Sequence, residues 1–372
     1  MKISKVTMFE KYLPLKEPFE HATSGKISAL EEIFIKLETD DGHTGYGEVR
    51  GNCMYFTGDC TKSVEAVLQH VILPKLPGMD PCNIHQIMDV VNKVIVGNTA
   101  AKAAVDIAVH DLAARIKGIP VYELLGGMRH QTLETEENIP FCPVEETIRR
   151  TKQIAGNGCK FIKVRVGLKP FQKDIDRLKA IAKTLEEMQL TDVELAIDAN
   201  QAWIVKEAIE RIECLYPYGV RIVEQPVAAK DIAGLKYVKD HTKVKIFADE
   251  AVFTPEDMMA AIKAEAIDGV HIKLIKSGGI ANAMKMVTLA EANHMTYMIG
   301  GMDEGMMAVA AAVQCAAAAN ANYHELDGHR RIAADVTSGL VVENAVVQVP
   351  DGPGLGVTLD ESKLTKICEI SL

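Results

Sequence analysis

From about residue 137 onward, apolar strand-like runs alternate with amphipathic helical stretches, and this alternation limits the folds open to the chain. Eight runs rich in apolar and β-branched residues occur at 139–144, 161–167, 193–200, 222–226, 245–250, 269–274, 296–301 and 322–326. Helical patterns separate them, as at 174–189 and 204–214. Parallel strands joined by crossover helices give such alternation. The pattern therefore predicts an α/β fold with a (β/α) barrel. The number of strands alone does not exclude the alternative, a doubly wound open sheet.

The first 130 residues have a different pattern. Three antiparallel strands are predicted at 1–14, 31–39 and 43–49, and three helices at 62–74, 84–93 and 99–117. Beyond about 340, the segment VVQVPDGPGLG resembles a returning strand. We therefore expect an α+β domain at 1–130, joined by the tail at 341–372, and a barrel domain at 131–340. A chain of 372 residues can hold a barrel of about 250 residues and a smaller domain.

Composition and charge argue against several classes of protein. The chain has 51 acidic and 41 basic residues, a net charge of -10, and no cluster of lysine and arginine typical of nucleic-acid binding. No uncharged apolar run approaches the roughly 18 residues that cross a membrane, and the alanine-rich stretch 306–321 is predicted to be a packed internal helix. The N-terminal segment lacks the apolar core of a signal peptide. The 8 cysteines show neither metal-site nor disulfide spacing. We expect a cytoplasmic protein that binds neither nucleic acid nor membrane.

Acidic residues end three successive apolar runs. Asp198, Glu224 and Asp249 are 26 and 25 residues apart, and Lys273 follows 24 residues later. One strand–helix unit of a barrel takes about that many residues, so the four side chains are predicted at the same height on successive strands. Barrel active sites are assembled from these strand ends. A single acid after a strand is usually a helix cap or a loop residue, but four residues in register argue against that interpretation.

Three carboxylates at one barrel mouth repel each other unless a cation lies among them. Hard oxygen ligands suit Mg²⁺, which keeps some coordination places for water or substrate. Lys163 and Lys273 lie within apolar strands, and burial beside a metal lowers the pKa of a lysine, so that its neutral form can act as a base. Lys276 is expected to point outward or to snorkel from a strand end, and His271 is expected to be a core residue.

The motifs IDAN, VEQP, ADE and IKLIKSGG, in this order and spacing, resemble those of the enolase superfamily, particularly its muconate-lactonising subgroup. AKAAVDIAVHDLAA followed by LLGG, and DGPGLGV in the tail, are also similar, so the resemblance covers nearly the whole chain. It implies a modified TIM barrel with an α+β capping domain, in a homo-oligomer. By this resemblance Asp198, Glu224 and Asp249 bind Mg²⁺, and Lys273 takes the α-proton of a small-molecule carboxylate substrate. The metal would stabilise the resulting enediolate.

The second barrel strand departs from the subgroup pattern, which is usually Lys-x-Lys with the second lysine as a base on the opposite face. This chain has Lys163-Val164-Arg165. Lys163 matches the first lysine, which helps to hold the substrate carboxylate. Arg165 is effectively always protonated and makes a poor base. One competent base favours β-elimination or cycloisomerisation over racemisation, and Arg165 could instead clamp a carboxylate or stabilise the intermediate.

Substrate contacts are also implied by the resemblance. Glu325 and Asp327 align with an Asp-x-Asp pattern that holds the substrate ammonium group in dipeptide epimerases of the subgroup. Further candidates lie near the seventh strand and in two loops of the first domain: Asp303, Glu304, His21, Thr23 and Tyr55. For all of them, loop solvation, helix capping or salt bridging is the simpler alternative.

The first hypothesis for function is dehydration of an amino-acid-derived acid similar to hydroxyproline. It combines chemistry with one base and an ammonium-binding acid pair. The alternatives are racemisation or epimerisation of amino acids or dipeptides, and a muconate-type cycloisomerisation. A barrel that binds a metabolite without catalysis is disfavoured, because it has no need for three acids at metal-site spacing and a lysine within a strand.

Overall fold

The computed structural model describes residues 1–21 and 25–372, and side chains are described for all of these except residues 19–21, 25 and 26. Two of the predicted substrate contacts, Thr23 and the His21 side chain, lie outside the described part. No helix in that part is long and apolar enough to cross a membrane.

The N-terminal strands form an antiparallel sheet that a C-terminal strand completes. Its members are β1 (Ile3–His21), β2 (Gly25–Thr39), β3 (Thr44–Arg50) and β17 (Thr365–Ser371), in the order β17-β1-β2-β3. The tight turn between β2 and β3 uses Gly42, whose φ of 93° suits glycine. The C-terminal strand β17 pairs with β1, whereas the segment VVQVPDGPGLG, predicted to be the returning strand, lies outside this sheet.

Four helices follow the first three strands: α1 (Thr61–Val67), α2 (Ile84–Val94), α3 (Thr99–Lys117) and α4 (Val121–Leu124). Helix α3 occupies the predicted range, packs on β3 and ends before Gly118, whose φ is 69°. A Cβ at Gly47 would lie 2.0 Å from Ala104 O, so this glycine permits the close packing. The helix predicted at 62–74 is regular only to Val67, and it tightens into a 3₁₀ turn at Pro74, which has no N–H to donate.

The second half forms an eight-stranded parallel sheet that closes into a barrel. Its strands are β5 (Glu137–Ile139), β6 (Phe161–Arg165), β7 (Glu194–Asp198), β8 (Val220–Glu224), β9 (Lys245–Ala248), β10 (Gly269–Lys273), β11 (Thr296–Gly300) and β12 (Tyr323–Glu325). Glu136 N donates to His324 O at 2.8 Å, which joins the first strand to the last. The barrel prediction is confirmed. The first strand lies earlier than the predicted 139–144, because Pro140 and Pro143 interrupt that run.

Helices surround the barrel: α5 (Val144–Gly156), α6 (Gln172–Glu187), α7 (Val205–Leu215), α8 (Ile232–Asp240), α9 (Pro255–Lys263), α10 (Leu274–Ser277), α11 (Ile280–Ala292) and α12 (Met306–Ala318). Helix α12 is buried over nearly its whole length, as its alanine-rich sequence predicts. Two small sheets complete the fold, β4 (Thr132–Glu134) with β14 (Val341–Glu343) and β15 (Val346–Gln348), and β13 (Thr337–Ser338) with β16 (Thr358–Leu359).

Carboxylates of the N-terminal region bind the first turns of two barrel helices. Asp106 Oδ1 on α3 accepts a bond of 2.5 Å from Ile280 N, and Glu48 Oε2 on β3 accepts one of 2.9 Å from Ala308 N. A Cβ at Gly279 would lie 2.3 Å from Asp106 Cβ, so only glycine allows this approach. The two contacts fix the N-terminal region against α11 and α12, the helices that follow β10 and β11.

Candidate active site

Side chains at the ends of neighbouring barrel strands meet at one mouth. The strand register pairs Arg165 with Asp198 and Asp198 with Glu224, at the carboxyl ends of β6, β7 and β8. Asp249 directly follows β9, and Lys273 is the last residue of β10. Because the carboxyl ends of barrel strands share one face, the acids and the lysine singled out by their spacing lie together.

The three acids are deeply buried. Asp198, Glu224 and Asp249 are 3%, 1% and 1% exposed. Ligand atoms of Glu224, Asp249 and His271 all lie within 4.8 Å of one another. Burial and the neighbouring Glu224 raise the pKa of Asp198 to about 6, as expected where carboxylates crowd without enough positive charge. Burial opposes the charges of the other two acids, but Lys163 lowers the pKa of Glu224 and Lys273 lowers the pKa of Asp249. The hard oxygen donors of the three acids fit a divalent ion such as Mg²⁺.

The Lys273 ammonium lies against the third acid. Its Nζ donates to Asp249 Oδ2 at 2.9 Å and lies 3.8 Å from Glu325 Oε2. Burial opposes its charge, but Asp249 and Glu325 raise the pKa of Lys273 above its ordinary value. Only 6% of the residue is exposed. The amine is therefore placed at the mouth but is held protonated by the carboxylates around it.

Lys276 is completely buried, so the prediction of an outward-pointing side chain is wrong. Its Nζ donates to Asp249 Oδ1 at 2.6 Å, to Asp249 O at 2.7 Å and to His271 O at 2.7 Å. The single turn of α10, followed by Gly278 with a φ of 80°, brings the side chain back under the site. Burial lowers the pKa of Lys276, and Asp249 only partly offsets this effect. All three N–H donors are used to hold Asp249 and the end of β10.

Lys163 lies deeper in the barrel, at the centre of three carboxylates. Its Nζ is 3.0 Å from Glu136 Oε1, 3.1 Å from Glu224 Oε2 and 3.2 Å from Glu325 Oε1. Burial opposes its charge, but Glu136 and Glu224 raise the pKa of Lys163 well above the usual range. Sequence reasoning missed Glu136, because it lies among other acids before β5 and nothing in the local pattern marks it as buried.

His271 is buried, as expected of a core residue, but it also bonds to the acids. Its Nδ1 lies 2.8 Å from Glu224 Oε1 and its Nε2 lies 3.3 Å from Glu325 Oε2. Burial and the nearby Lys273 lower its pKa well below the usual value, so the ring is neutral. A neutral ring has one N–H and can therefore donate to only one of these carboxylates at a time.

Arg165 is half-buried at the end of β6. Among the described side chains it has no hydrogen-bond partner and no carboxylate within ion-pair distance. Burial opposes its charge, but Asp198 and Asp303 raise the pKa of Arg165 above its ordinary value. Its N–H donors therefore remain available to a bound molecule.

The two acids predicted to bind an ammonium group differ in their surroundings. Glu325 is paired with Lys163 and Lys273, which together outweigh the effect of burial and lower its pKa to about 2. Asp327 is 9% exposed, and burial raises its pKa to about 6 although Arg331 opposes this. Of the two, Asp327 is the less compensated by the protein.

The remaining predicted contacts lie on the same side of the mouth. Asp303 Oδ1 is 3.1 Å from Arg331 Nη1, a partner that sequence reasoning missed. Glu304 is 4% exposed and accepts a backbone N–H bond of 3.0 Å, and burial raises its pKa. The Tyr55 hydroxyl accepts a bond of 3.2 Å from Arg50 Nη1, which also donates to Asp303 O at 3.3 Å.

An aromatic pair covers the lysine side of the mouth. The Phe56 ring centroid, in the loop after β3, is 5.0 Å from Lys273 Nζ. Phe56 stacks on Phe253 at 5.6 Å. Met302 Sδ lies 3.7 Å from the same Nζ. Phe56, which sequence reasoning missed, therefore shields the amine from water.

Family models cover nearly all of this architecture. Residues 3–126 match the N-terminal domain of the mandelate racemase / muconate lactonizing enzyme family, and residues 146–363 match the family described as enolase C-terminal domain-like. The chain belongs to the enolase superfamily. The resemblance seen in its motifs is confirmed, and the chain is an enzyme of this superfamily.

Similar proteins of this superfamily are epimerases and racemases. The L-Ala-D/L-Glu epimerase of Clostridium acetobutylicum is 39% identical over 93% of this chain and 95% of the relative. The structure of N-succinyl Arg/Lys racemase from Bacillus cereus has a TM-score of 0.93 and 29% identity over 100% of both chains. A dipeptide epimerase from Cytophaga hutchinsonii, complexed with Mg and D-Ala-L-Val, has a TM-score of 0.92 and 30% identity over 99% and 100% of the two chains.

These relatives bear on the choice of reaction. The dipeptide epimerase from Cytophaga hutchinsonii is complexed with Mg, which agrees with the Mg²⁺ site inferred from the motifs. They favour the alternative of racemisation or epimerisation over dehydration of a hydroxyproline-like acid. Arg165 at the position of the subgroup's second lysine therefore does not by itself indicate dehydration.

Proposed function

We propose that this enzyme is a Mg²⁺-dependent epimerase or racemase that acts on the α-carbon next to the carboxylate of a dipeptide or an N-acyl amino acid. One observation carries the proposal: Lys273 Nζ lies 2.9 Å from Asp249 Oδ2, at the mouth where Asp198 and Glu224 also end their strands. The names of the relatives support the reaction type and the kind of substrate.

Asp198, Glu224 and Asp249 would hold the metal. When bound, Mg²⁺ supplies Lewis-acid stabilisation of the second negative charge that a carboxylate gains as its α-proton leaves. Lys163 and Lys276 would position two of these acids, because they bind Glu224 and Asp249 from within the barrel. Their fixed charges leave the carboxylates ionised and oriented toward the mouth.

Lys273 would take the α-proton in its neutral form, which a metal ion bound at Asp249 would favour, because a neighbouring cation disfavours the charged ammonium. It ends β10 at the mouth, and Phe56 and Met302 leave little room for water at its Nζ. Water competes with the substrate for the amine in bulk solution. Exclusion of water therefore favours proton transfer from the substrate α-carbon to Lys273. The substrate α-carbon would lie beside Nζ, on the side not occupied by Asp249 and Glu325.

Asp327 would bind the ammonium or amide N–H of the substrate. Burial raises its pKa to about 6, and Arg331 only partly compensates its charge. Glu325 would act differently from the first acid of the subgroup pattern, because Lys163 already occupies one of its oxygens at 3.2 Å. Its contribution would be to hold Lys163 and Lys273 in place.

The test is α-hydrogen exchange in D₂O, followed by mass spectrometry and chiral chromatography. L-Ala-L-Glu, L-Leu-L-Tyr, N-succinyl-L-arginine and a hydroxyproline would be incubated with Mg²⁺ or with a chelator. We expect Mg²⁺-dependent deuterium uptake with inversion for at least one dipeptide or N-acyl compound. Lys273→Ala should reduce it by about 100-fold or more, whereas Lys285→Ala, at an exposed lysine of α11, should not.

Loss of water from the hydroxyproline, without inversion of any other compound, would contradict the proposal and restore dehydration. Retained Mg²⁺ binding in Lys273→Ala, measured by calorimetry, separates the loss of a base from the loss of the metal site.

A further inference from the structure

Four side chains form a closed ring of polar contacts inside the barrel. Lys163 Nζ lies 3.1 Å from Glu224 Oε2 and 3.2 Å from Glu325 Oε1. On the other side of the ring, His271 Nδ1 lies 2.8 Å from Glu224 Oε1, and His271 Nε2 lies 3.3 Å from Glu325 Oε2. The imidazole therefore lies between an acid proposed to bind the metal and an acid of the last barrel strand.

The two contacts of the imidazole are unequal. A carboxylate that is paired with an ammonium accepts hydrogen bonds, so the hydrogen between His271 Nδ1 and Glu224 Oε1 lies on the ring. By contrast, neither His271 Nε2 nor Glu325 Oε2 has a hydrogen-bond partner among the described residues. The hydrogen bond of His271 therefore goes to Glu224, and Glu325 is a close neighbour that the ring does not bind.

The surrounding barrel fixes the imidazole in this orientation. His271 is 0% exposed. Gly300 on the neighbouring strand β11 leaves room for the ring, because a Cβ at that position would lie 2.6 Å from His271 Nε2. Lys276 Nζ donates to His271 O at 2.7 Å and holds the backbone. The ring is therefore restrained at its far edge and at its backbone, as a group that orients another side chain has to be.

No other described side chain donates a hydrogen bond to Glu224 Oε1. Lys163 holds Glu224 Oε2, but its ammonium is shared with Glu136 at 3.0 Å and with Glu325 at 3.2 Å. Without the imidazole, one shared contact would restrain the orientation of the Glu224 carboxylate. Hydrogen bonds to metal-binding carboxylates increase metal affinity, and their loss typically weakens binding by about 10- to 100-fold.

A role for His271 as a metal ligand is the alternative, because its ligand atom and those of Glu224 and Asp249 lie within 4.8 Å of one another. Mg²⁺ prefers oxygen ligands to an imidazole nitrogen. The Nδ1 atom of His271 also already donates to Glu224. The geometry therefore favours an action through Glu224 over direct binding of the ion.

We propose that His271 is a positioning residue of the metal site, which holds the Glu224 carboxylate in the orientation that binds Mg²⁺ through the hydrogen bond of its Nδ1. This inference rests on the proposed function, in which Glu224 binds the metal. An asparagine places its amide nitrogen near the position of Nδ1, whereas a glutamine places its own near the position of Nε2. Asparagine should therefore replace the imidazole, and glutamine should not.

Calorimetry with Mg²⁺ alone measures the dissociation constant for the wild type, His271→Leu, His271→Asn and His271→Gln. We expect the constant to rise by about 10-fold or more in His271→Leu and His271→Gln, and to stay within about threefold of the wild type in His271→Asn. His324→Leu is the matched control. His324 is a buried histidine of β12 whose Nδ1 contacts a backbone oxygen, Glu134 O at 2.9 Å, and its replacement should leave Mg²⁺ binding unchanged.

Rescue by the metal separates this role from general damage to the barrel. The Mg²⁺ concentration for half-maximal deuterium uptake by a substrate should rise about 10-fold in His271→Gln, while the maximal rate stays within about threefold of the wild type. If His271→Leu does not fold, as judged by circular dichroism, the comparison of His271→Asn with His271→Gln decides. Equal Mg²⁺ affinity of these two variants would overturn the inference and leave the proposed function. No Mg²⁺ binding by the wild type would overturn both.

Discussion

Single residues of this site are understood best through the charges that surround them. Asp249 Oδ1 accepts a hydrogen bond from Lys276 Nζ, and Asp249 Oδ2 accepts one from Lys273 Nζ. The first lysine is fully buried and uses all its donors on fixed acceptors, whereas the second lies at the mouth. Buried charges are tolerated only when paired and hydrogen-bonded. One lysine therefore has a permanent partner, and the other has a partner that a metal ion would share.

Lys276→Met should destabilise the fold, because it leaves Asp249 Oδ1 and two carbonyl oxygens without their donor. Removing one member of a buried ion pair costs about 3 kcal/mol in free energy of unfolding. Urea denaturation followed by circular dichroism measures the change. The exposed Lys285→Met should stay within about 0.5 kcal/mol of the wild type. Equal stability of the two variants would show that Lys276 is not needed to compensate Asp249.

The sequence was informative about residues at strand ends and silent about residues that reach the site from elsewhere. Regular spacing predicted the positions of Asp198, Glu224, Asp249 and Lys273, because barrel strands repeat at near-constant intervals. Lys276 was misjudged because its path depends on the turn of α10 and on the packing beneath it. The role of Phe56 depends on a contact between distant segments, which no local pattern records.

At the scale of elements, the helices after β10 and β11 begin at carboxylates from another part of the chain. The free N–H groups of a first helical turn are usually satisfied by a nearby side chain. Here Asp106 of α3 serves α11 and Glu48 of β3 serves α12. The sequence predicted α3 and α12 well, since each is long and rich in alanine. It could not predict these caps, because the partners are more than 170 residues apart.

Asp106→Ala should lower the free energy of unfolding by about 2 kcal/mol, at the upper end for loss of a helix cap, because the site is fully buried. Asp231→Ala is the comparison, since Asp231 caps α8 locally by accepting from Gly234 N at 2.8 Å. We expect about 1 kcal/mol there. Hydrogen exchange should also become faster at residues 280–283 in Asp106→Ala only. Unchanged exchange at those amides would contradict the long-range cap.

For the molecule as a whole, the contact between the N-terminal sheet and the barrel buries acids that form no ion pair with any described residue. Glu32 and Glu48 are both 0% exposed, and neither Glu32 oxygen has a hydrogen-bond partner among the described residues. Burial, followed by repulsion from Glu304, raises the pKa of Glu32 well above 4.5. Burial and Glu32 do the same to the pKa of Glu48. The native contact therefore keeps protons that the unfolded chain releases.

Stability should consequently fall as pH rises above the ordinary glutamate pKa of 4.5, until the raised native pKa is reached. In this window the native state binds more protons than the unfolded state, and each such group contributes a loss of at most about 1.4 kcal/mol per pH unit. Urea unfolding measures the free energy of unfolding at pH 5.5 and at pH 8.5. Its decrease between the two pH values should be smaller for Glu32→Gln than for the wild type. For Glu343→Gln, at an exposed glutamate, the free energy of unfolding should decrease by as much as in the wild type. A wild-type slope retained in Glu32→Gln would contradict the inference that buried Glu32 keeps its proton in the native state.

The pairing of β17 with β1 has a consequence for the order of events during synthesis. Lys5 of β1 lies opposite Ser371 of β17 in this ladder. Strand β1 is synthesised early and can pair with β17 only after more than 360 further residues have been added. Contacts between such distant segments form slowly, because the entropy cost of closing a long loop comes before the contacts contribute any stabilising free energy. The barrel strands, each next to its neighbour in sequence, can pair while the ribosome is still working. The edge of β1 stays open during that time, and a chaperone that binds exposed strands would find it there.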